Sequence, residues 1–182
     1  MYDLTIGIIG KISVGKSSIA RALHEKTGIP YTSFGSYLVA YSKLNNLPID
    51  RTSLQNLGNK FIKENSQTFL SNVLKNVTTK SNIVILEGIR HVDILESIKK
   101  INKKVLFIFI DASPAIRYER YLNRQPENIV PVGFDEFLQK DNHVVESEID
   151  LLKPQCDLIV DSEKLTVNEV LDFIYLFIKP HL

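Results

Sequence analysis

Residues 10–18, GKISVGKSS, follow an unbroken apolar run, LTIGII at 4–9, and precede a segment with apolar residues at helical spacing. Gly10, Gly15, Lys16 and Ser17 occupy every fixed position of the pattern G-x-x-x-x-G-K-[ST]. Glycines allow a short loop to curl until successive backbone N–H groups converge on an anion, and the helix that follows adds its own unpaired donors and positive dipole end. In that arrangement Gly10, Ser13, Val14, Gly15, Lys16, Ser17 and Ser18 form a phosphate cradle. Lys16 reaches the β and γ oxygens, and the Ser17 hydroxyl suits the shell of a Mg²⁺ ion. A glycine turn that merely joins strand to helix is the competing explanation. The strand before the loop and the amphipathic helix after it decide for phosphate, and ATP with Mg²⁺ is the expected ligand pair.

Further apolar runs lie at 83–86 (IVIL), 105–110 (VLFIFI) and 157–160 (DLIV), with a shorter one, PYTSF, at 30–34. Continuous rather than alternating apolarity predicts strands covered on both faces, as in a parallel sheet, with 30–34 at or near an edge. Helical periodicity predicts helices over 17–26, two between 34 and 77 broken near NNLPID, and others over 91–101, from 113 through Arg124, 134–149 and 166–179. Alternating strands and helices predict an α/β fold, a three-layer α/β/α sandwich around a five-stranded parallel sheet. The 182 residues form one expected domain, with an acceptor-binding helical region at about 34–77 and a short lid at about 125–133, QPENIVPVG.

Lys and Arg total 22 against 21 Asp and Glu, so no overall field draws the chain to nucleic acid or an anionic membrane, and neither is an expected partner. No window approaches the roughly 18 apolar residues of a membrane span, and the amino terminus lacks the pattern of a cleavable signal. The single cysteine, Cys156, excludes an intramolecular disulfide and reads as a small buried hydrophobe. A cytoplasmic location is expected.

Among phosphate-loop classes, a GTPase needs an N-K-x-D guanine reader. NKKV at 102–105 and NKFI at 59–62 lack its acid. A large ring-forming remodelling ATPase needs a paired acidic motif and an extra helical domain, for which 182 residues leave little room. A small-molecule kinase needs an acceptor pocket across the sheet and several cations around the moving phosphoryl group. IVILEGIR sets Glu87 and Arg90 just past the carboxyl end of a buried strand, the edge at which open α/β sheets bind ligands. DASPAIRYERYLNR places Arg117, Arg120 and Arg124 at spacings of three and four, on one expected helical face.

On these motifs the chain resembles the nucleoside monophosphate kinase and adenylate kinase-like group of P-loop kinases. It is more closely similar to the archaeal predicted nucleotide kinases related to dephospho-CoA kinase. LEGIRHVDILESI resembles that family's D-G-I-R segment, DASPAIRYERYLNR its arginine-bearing helix, and FDEFLQKDNHVVESEIDLLKPQCDLIVDSE its closing helix and last strand. The resemblance implies that Lys16, Glu87, Arg120 and Arg124 are catalytic, that Ser17 and Glu87 serve the metal, and that Arg90 holds the acceptor phosphate. Where the group carries an Asp and an Arg in its first acceptor helix, this chain has Ser36 and Val39. Arg51, in the next loop, is the residue available to replace the arginine.

Other residues carry weaker signals. Asp111 either approaches the metal or leads the next helix. His143 and Glu146 share a helical face but lack further ligands for zinc. His24, His91 and His181 read as solvent or core-edge residues. Tyr31, Phe34, Tyr37 and Tyr41 read as core and pocket lining. The leading expectation is ATP-dependent transfer to a small phosphorylated metabolite, a nucleotide. The alternative is a nucleotide-binding ATPase or switch acting on a macromolecular partner. The oligomeric state is not encoded in any of these features.

Overall fold

The computed structural model describes residues 2–125, 132–141 and 144–182, the side chains at 140 and 144–147 excepted. Its centre is strand β1 (Leu4–Ile9), six consecutive buried residues whose run of β-branched side chains suits a strand covered on both faces. Around it lie β2 (Tyr31–Ser33), β3 (Ile83–Ile89), β4 (Lys104–Asp111) and β5 (Leu158–Asp161). The strands pair in the order β2-β3-β1-β4-β5, every neighbour parallel, so the PYTSF strand is an edge.

Helix α1 (Lys16–Thr27) packs beside α8 (Val167–Ile178) on one face of the sheet. Ile19, Ala20 and Leu23 meet Ile6, Ile8, Ile108 and Ile174 there. The opposite face is covered by α2 (Phe34–Leu44), α3 (Arg51–Leu74), α4 (Val92–Ile101) and α7 (Val144–Leu152). Leu38, Leu70, Leu95 and Ile149 pack there on Ile9, Leu86, Phe107 and Phe109. Two apolar layers flanking one sheet make the three-layer sandwich predicted from the alternating runs.

The boundaries follow local chemistry. Ser33, Asp50, Ser113 and Thr166 each accept a backbone N–H from the first turn of the helix they cap. Within α3 the backbone at Asn65 turns extended (φ −169°, ψ 103°), and its side chain caps Thr68 at 2.8 Å. The helical region therefore contains a kink beyond the predicted break.

Two predicted elements differ. The single helix over 134–149 is instead α6 (Phe134–Asp141) and α7. Phe137 packs on Tyr118 and Tyr121, whereas Ile149 and Leu152 belong to the core beside β4, and one straight helix cannot serve both. Helix α5 (Pro114–Leu122) stops before Arg124, whose amide bonds the Tyr121 carbonyl in a closing turn. Arg117 and Arg120 thus lie on α5, and Arg124 beyond it. Pro126, two residues on in sequence, disfavours continued helix.

Candidate active site

The phosphate loop leaves β1 through Gly10, whose φ of +148° and contact with β4 admit no side chain. A Cβ there would lie 2.4 Å from the Ile110 carbonyl oxygen. Lys16 starts α1, is buried, and donates from Nζ to the Lys11 carbonyl at 2.7 Å, so the lysine folds across the mouth of its own loop. Ser17 Oγ donates to Glu87 Oε1 at 3.1 Å.

A bulge positions Glu87. Ile8 pairs with Glu87 but Ile9 pairs with Ile89, leaving Gly88 as the extra residue, with φ +83°. Such a bulge re-aims a strand end, and it occurs beside the phosphate loop. The hydroxyl and carboxylate it brings together are hard oxygen donors of the kind Mg²⁺ takes. The donor set therefore fits the ion. Replacing Glu87 by Gln is expected to raise the Mg²⁺ needed for half-maximal ADP release about tenfold. An unmoved Mg²⁺ titration would leave Glu87 as a capping residue only.

A cleft of about 1150 Å³ opens over these groups, and Ser13, Lys16, Ser17, Glu87, Arg90 and Arg124 all line it. Arg51, the first residue of α3, and Ser36, in the first turn of α2, line its far side. Ser36 also accepts from Ser33 Oγ at 2.8 Å within the cap of α2. Val39 is not among the lining residues. The cleft's deeper wall is apolar, with Phe34, Leu38, Leu54, Ile62 and Phe69. Phe34 and Phe69 belong to a ring cluster with Tyr37, Tyr41 and Phe61, whereas Tyr31 stands apart against His24. His91 lines the cleft as well, with Nδ1 2.8 Å from Glu148 Oε2, so the sequence-based reading of it as a solvent or core-edge residue misses its position.

The arginines part company. Arg117 is buried and pairs through both guanidinium nitrogens with Asp141, the Nη2–Oδ2 distance being 2.7 Å. Its Nε donates to the Ala112 carbonyl, so this arginine ties α5 to α6 and does not line the cleft. Arg120 donates to the Val14 carbonyl at 3.2 Å and to Ser162 at 2.9 and 2.6 Å, joining the phosphate loop to the end of β5. Burial, and after it the neighbouring Arg124 charge, pull its pKa down from the ordinary value. Two guanidiniums held this close favour an anion between or beside them.

Arg120 and Arg124, with Gly15, Ser18, Ser162 and Val170, line a second cavity of about 320 Å³ on the α8 side of the loop. Gly15 and Arg124 line both cavities. Sequence spacing alone does not separate Arg117 from its neighbours. The signal that would have done so is Asp141, the acid closing an amphipathic segment, and its meaning depends on α6 folding back.

Asp111 accepts from Lys153 Nζ at 2.6 Å and from the Ala112 amide at 2.9 Å, and is not among the lining residues of either cavity. Burial pushes the Cys156 thiol up to about 12, which leaves it an unreactive side chain against the α4 core. His143, the Glu146 side chain and most of the expected lid, 126–131, lie outside the described residues. No helix among the described residues is long and apolar enough to cross a membrane.

A family model described as AAA domain matches residues 6–143, from β1 through α6. The chain belongs to that family. A UPF0200 protein of Pyrobaculum aerophilum is 25% identical, over 91% of this chain and 91% of its own. A cytidylate kinase of Clostridium botulinum is 27% identical, over 98% and 99%. Among solved structures, shikimate kinase from Aquifex aeolicus superposes with a TM-score of 0.59 at 22% identity, covering 97% of each chain. Shikimate kinase from Acinetobacter baumannii, in complex with shikimate, gives 0.62 at 13%, covering 98% and 94%. The family match and these superpositions agree on a P-loop α/β domain with the fold that the solved kinases share.

Proposed function

We propose that this kinase moves the γ-phosphoryl group of ATP to a small phosphorylated acceptor, a nucleotide, bound in the larger cleft. One observation carries the proposal. Lys16 and Ser17 of the phosphate loop share a single cleft with Arg51 and Arg90, cations that the loop does not need. Arg90 and Arg51 would hold the acceptor's anionic group, Lys16 and Arg124 the donor's phosphates, and Ser17 and Glu87 the Mg²⁺. The metal, when bound, neutralises charge on the donor phosphates. The second cavity, next to the same loop and Arg124, suits the donor's nucleoside, with Arg120 bracing its wall.

In the transfer, an acceptor oxygen bonds to the γ-phosphorus as the bond to the β–γ bridging oxygen breaks, and ADP leaves with the electron pair. An acceptor phosphate is ionised near neutral pH and needs no base to take its proton. Among the described residues Glu87 is the one Asp or Glu that lines the cleft, and it already accepts from Ser17. That inventory suits a phosphate nucleophile better than a hydroxyl one.

ADP release measured against a panel of nucleoside monophosphates, nucleosides and dephospho-CoA tests the proposal. One phosphorylated member is expected to accelerate release many-fold. Release indifferent to every acceptor would instead favour an ATPase or switch. Replacing Arg90 by Gln is expected to raise the acceptor KM about 10- to 100-fold, the value of a charge-assisted hydrogen bond to a phosphate, with a smaller change in the KM for ATP. Equal changes in both constants would remove Arg90 from the acceptor side.

A further inference from the structure

His91 follows Arg90 in the chain and, like it, lines the larger cleft. It stands at the N-cap of α4, yet its side chain makes no bond to that helix, unlike the caps of α2, α3, α5 and α8. The ring is held from behind instead. Helix α7 packs beside α4 and sets Glu148 Oε2 2.8 Å from His91 Nδ1. The imidazole is 14% exposed and the carboxylate 37%, so the ring is the more enclosed partner. Gln55 Nε2, on α3, is buried and unpartnered among the described residues, out of a ligand's reach. His91 Nε2 differs. It has no partner among the described residues and is not one of the sealed polar atoms, so it keeps a surface that a ligand can meet.

A strap between two helices is the simplest account of such a pair, but Ile149 and Leu152 already seat α7 in the core. A half-exposed ion pair adds little to that. A strap also leaves unexplained why the ring stands in the cleft wall beside Arg90. A carboxylate only accepts, so Glu148 assigns the proton to Nδ1. Nε2 is then a lone pair on the neutral ring and a donor only on the imidazolium. The charged groups around it are Glu148 from α7, Asp93 in the first turn of α4, and Glu87 and Arg90 at the end of β3. Among the described residues of α3, Arg51 is the charged one that lines this cleft, and Asp111, at the end of β4, is taken by Lys153. An anion held by Arg90 offsets that cation, and Glu148 then favours charge on the ring.

We propose that His91, set in place by Glu148, is a second cation for the acceptor's anionic group, donating from Nε2 beside Arg90. Glu148 is its positioning residue. The proposal rests on the kinase reading of the cleft and deepens it: the acceptor's anion is gripped by one permanent and one titratable cation, so the grip weakens as the ring loses its proton.

The test measures ADP release with AMP, CMP, UMP, GMP and dephospho-CoA between about pH 6 and about pH 9, a range that brackets imidazole ionisation. The proteins are the natural enzyme, His91→Ala, His91→Gln and Glu148→Gln, each with its melting temperature recorded. The ratio of variant to natural KM at each pH cancels the acceptor's own second ionisation. For the acceptor that accelerates release, His91→Ala is expected to raise KM about tenfold at the acid end and less than about twofold at the alkaline end, with the KM for ATP nearly unmoved. His91→Gln, which donates without titrating, is expected to restore most of the loss and to flatten the profile. Glu148→Gln removes the charge that favours the imidazolium, and is expected to move the weakening to lower pH.

A KM ratio that is the same at both ends overturns the proposal and spares the kinase reading. So does a change confined to melting temperature, which is the mark of a strap, or a larger change in the KM for ATP. If no compound accelerates ADP release, the kinase reading fails and calorimetric binding of the same compounds decides the rest. Binding weakened by His91→Ala at the acid end alone supports the titratable grip, and absent or His91-independent binding overturns it.

Discussion

Replacing Lys16 by Ala is expected to lower the rate of ATP-dependent phosphoryl transfer by about 10²- to 10³-fold, the usual loss when one preorganised donor to a transition-state charge is removed. At about 1.4 kcal/mol per factor of ten this amounts to about 3–4 kcal/mol of transition-state stabilisation. The position explains why solvent cannot substitute. Lys16 is buried at the first residue of α1, with its ammonium already drawn across the loop to the Lys11 carbonyl. On binding ATP the ammonium is expected to exchange a neutral carbonyl for charged phosphate oxygens, a gain that requires the ligand in place. Single-turnover ADP formation, read beside the circular dichroism spectrum, separates this effect from misfolding. A variant with native spectrum and more than a tenth of the natural rate would remove Lys16 from the chemistry.

The largest stability effect is expected away from the cleft, at Arg117 and Asp141. Both side chains are only 3% exposed, and they meet through two parallel hydrogen bonds. Removing one partner of such a pair leaves a buried charge uncompensated and costs about 3–5 kcal/mol. In a chain of this size each kcal/mol lowers Tm by about 2–4 °C, so Asp141→Ala is expected to melt about 6–20 °C lower. Replacing both residues, Arg117→Met with Asp141→Leu, is expected to recover much of that loss, because the cost lies in the orphaned charge and less in the absent attraction. Equal melting temperatures for the single and double variants would show that the pair contributes through geometry, holding α6 and the Ile12 carbonyl to α5, and less through charge.

The two effects differ in how far sequence spacing announces them. The phosphate loop was legible because its demands are local. Gly10 needs a backbone that no side chain permits, and the strand, loop and helix are contiguous in the chain. The sheet was legible because strands covered on both faces must be apolar throughout, and LTIGII, IVIL and VLFIFI are. Arg117, Arg120 and Arg124 show the limit. Their spacing of three and four suggested one cationic face, yet one arginine closes a buried ion pair, one braces the loop against β5, and the third lies past the helix end at the rim of both cavities. Periodicity says which side chains point together on a helix and nothing about what lies opposite.

Gln55 shows the same limit from the other side. In sequence it is an unremarkable polar residue of a long helix. Its Nε2, buried without a hydrogen-bond partner among the described residues, reaches that condition only once α3 has packed against α2. The sequence by itself determined the α/β class, the parallel sheet and the phosphate cradle, because those follow from hydrophobic period and backbone sterics over short stretches. Only the tertiary structure decided which arginines reach the cleft, that Ser17 meets Glu87 across 70 residues, and what α3 presents to an acceptor. The physical reason is that charge and hydrogen-bond pairing depend on separation in space, which is fixed only when distant segments pack.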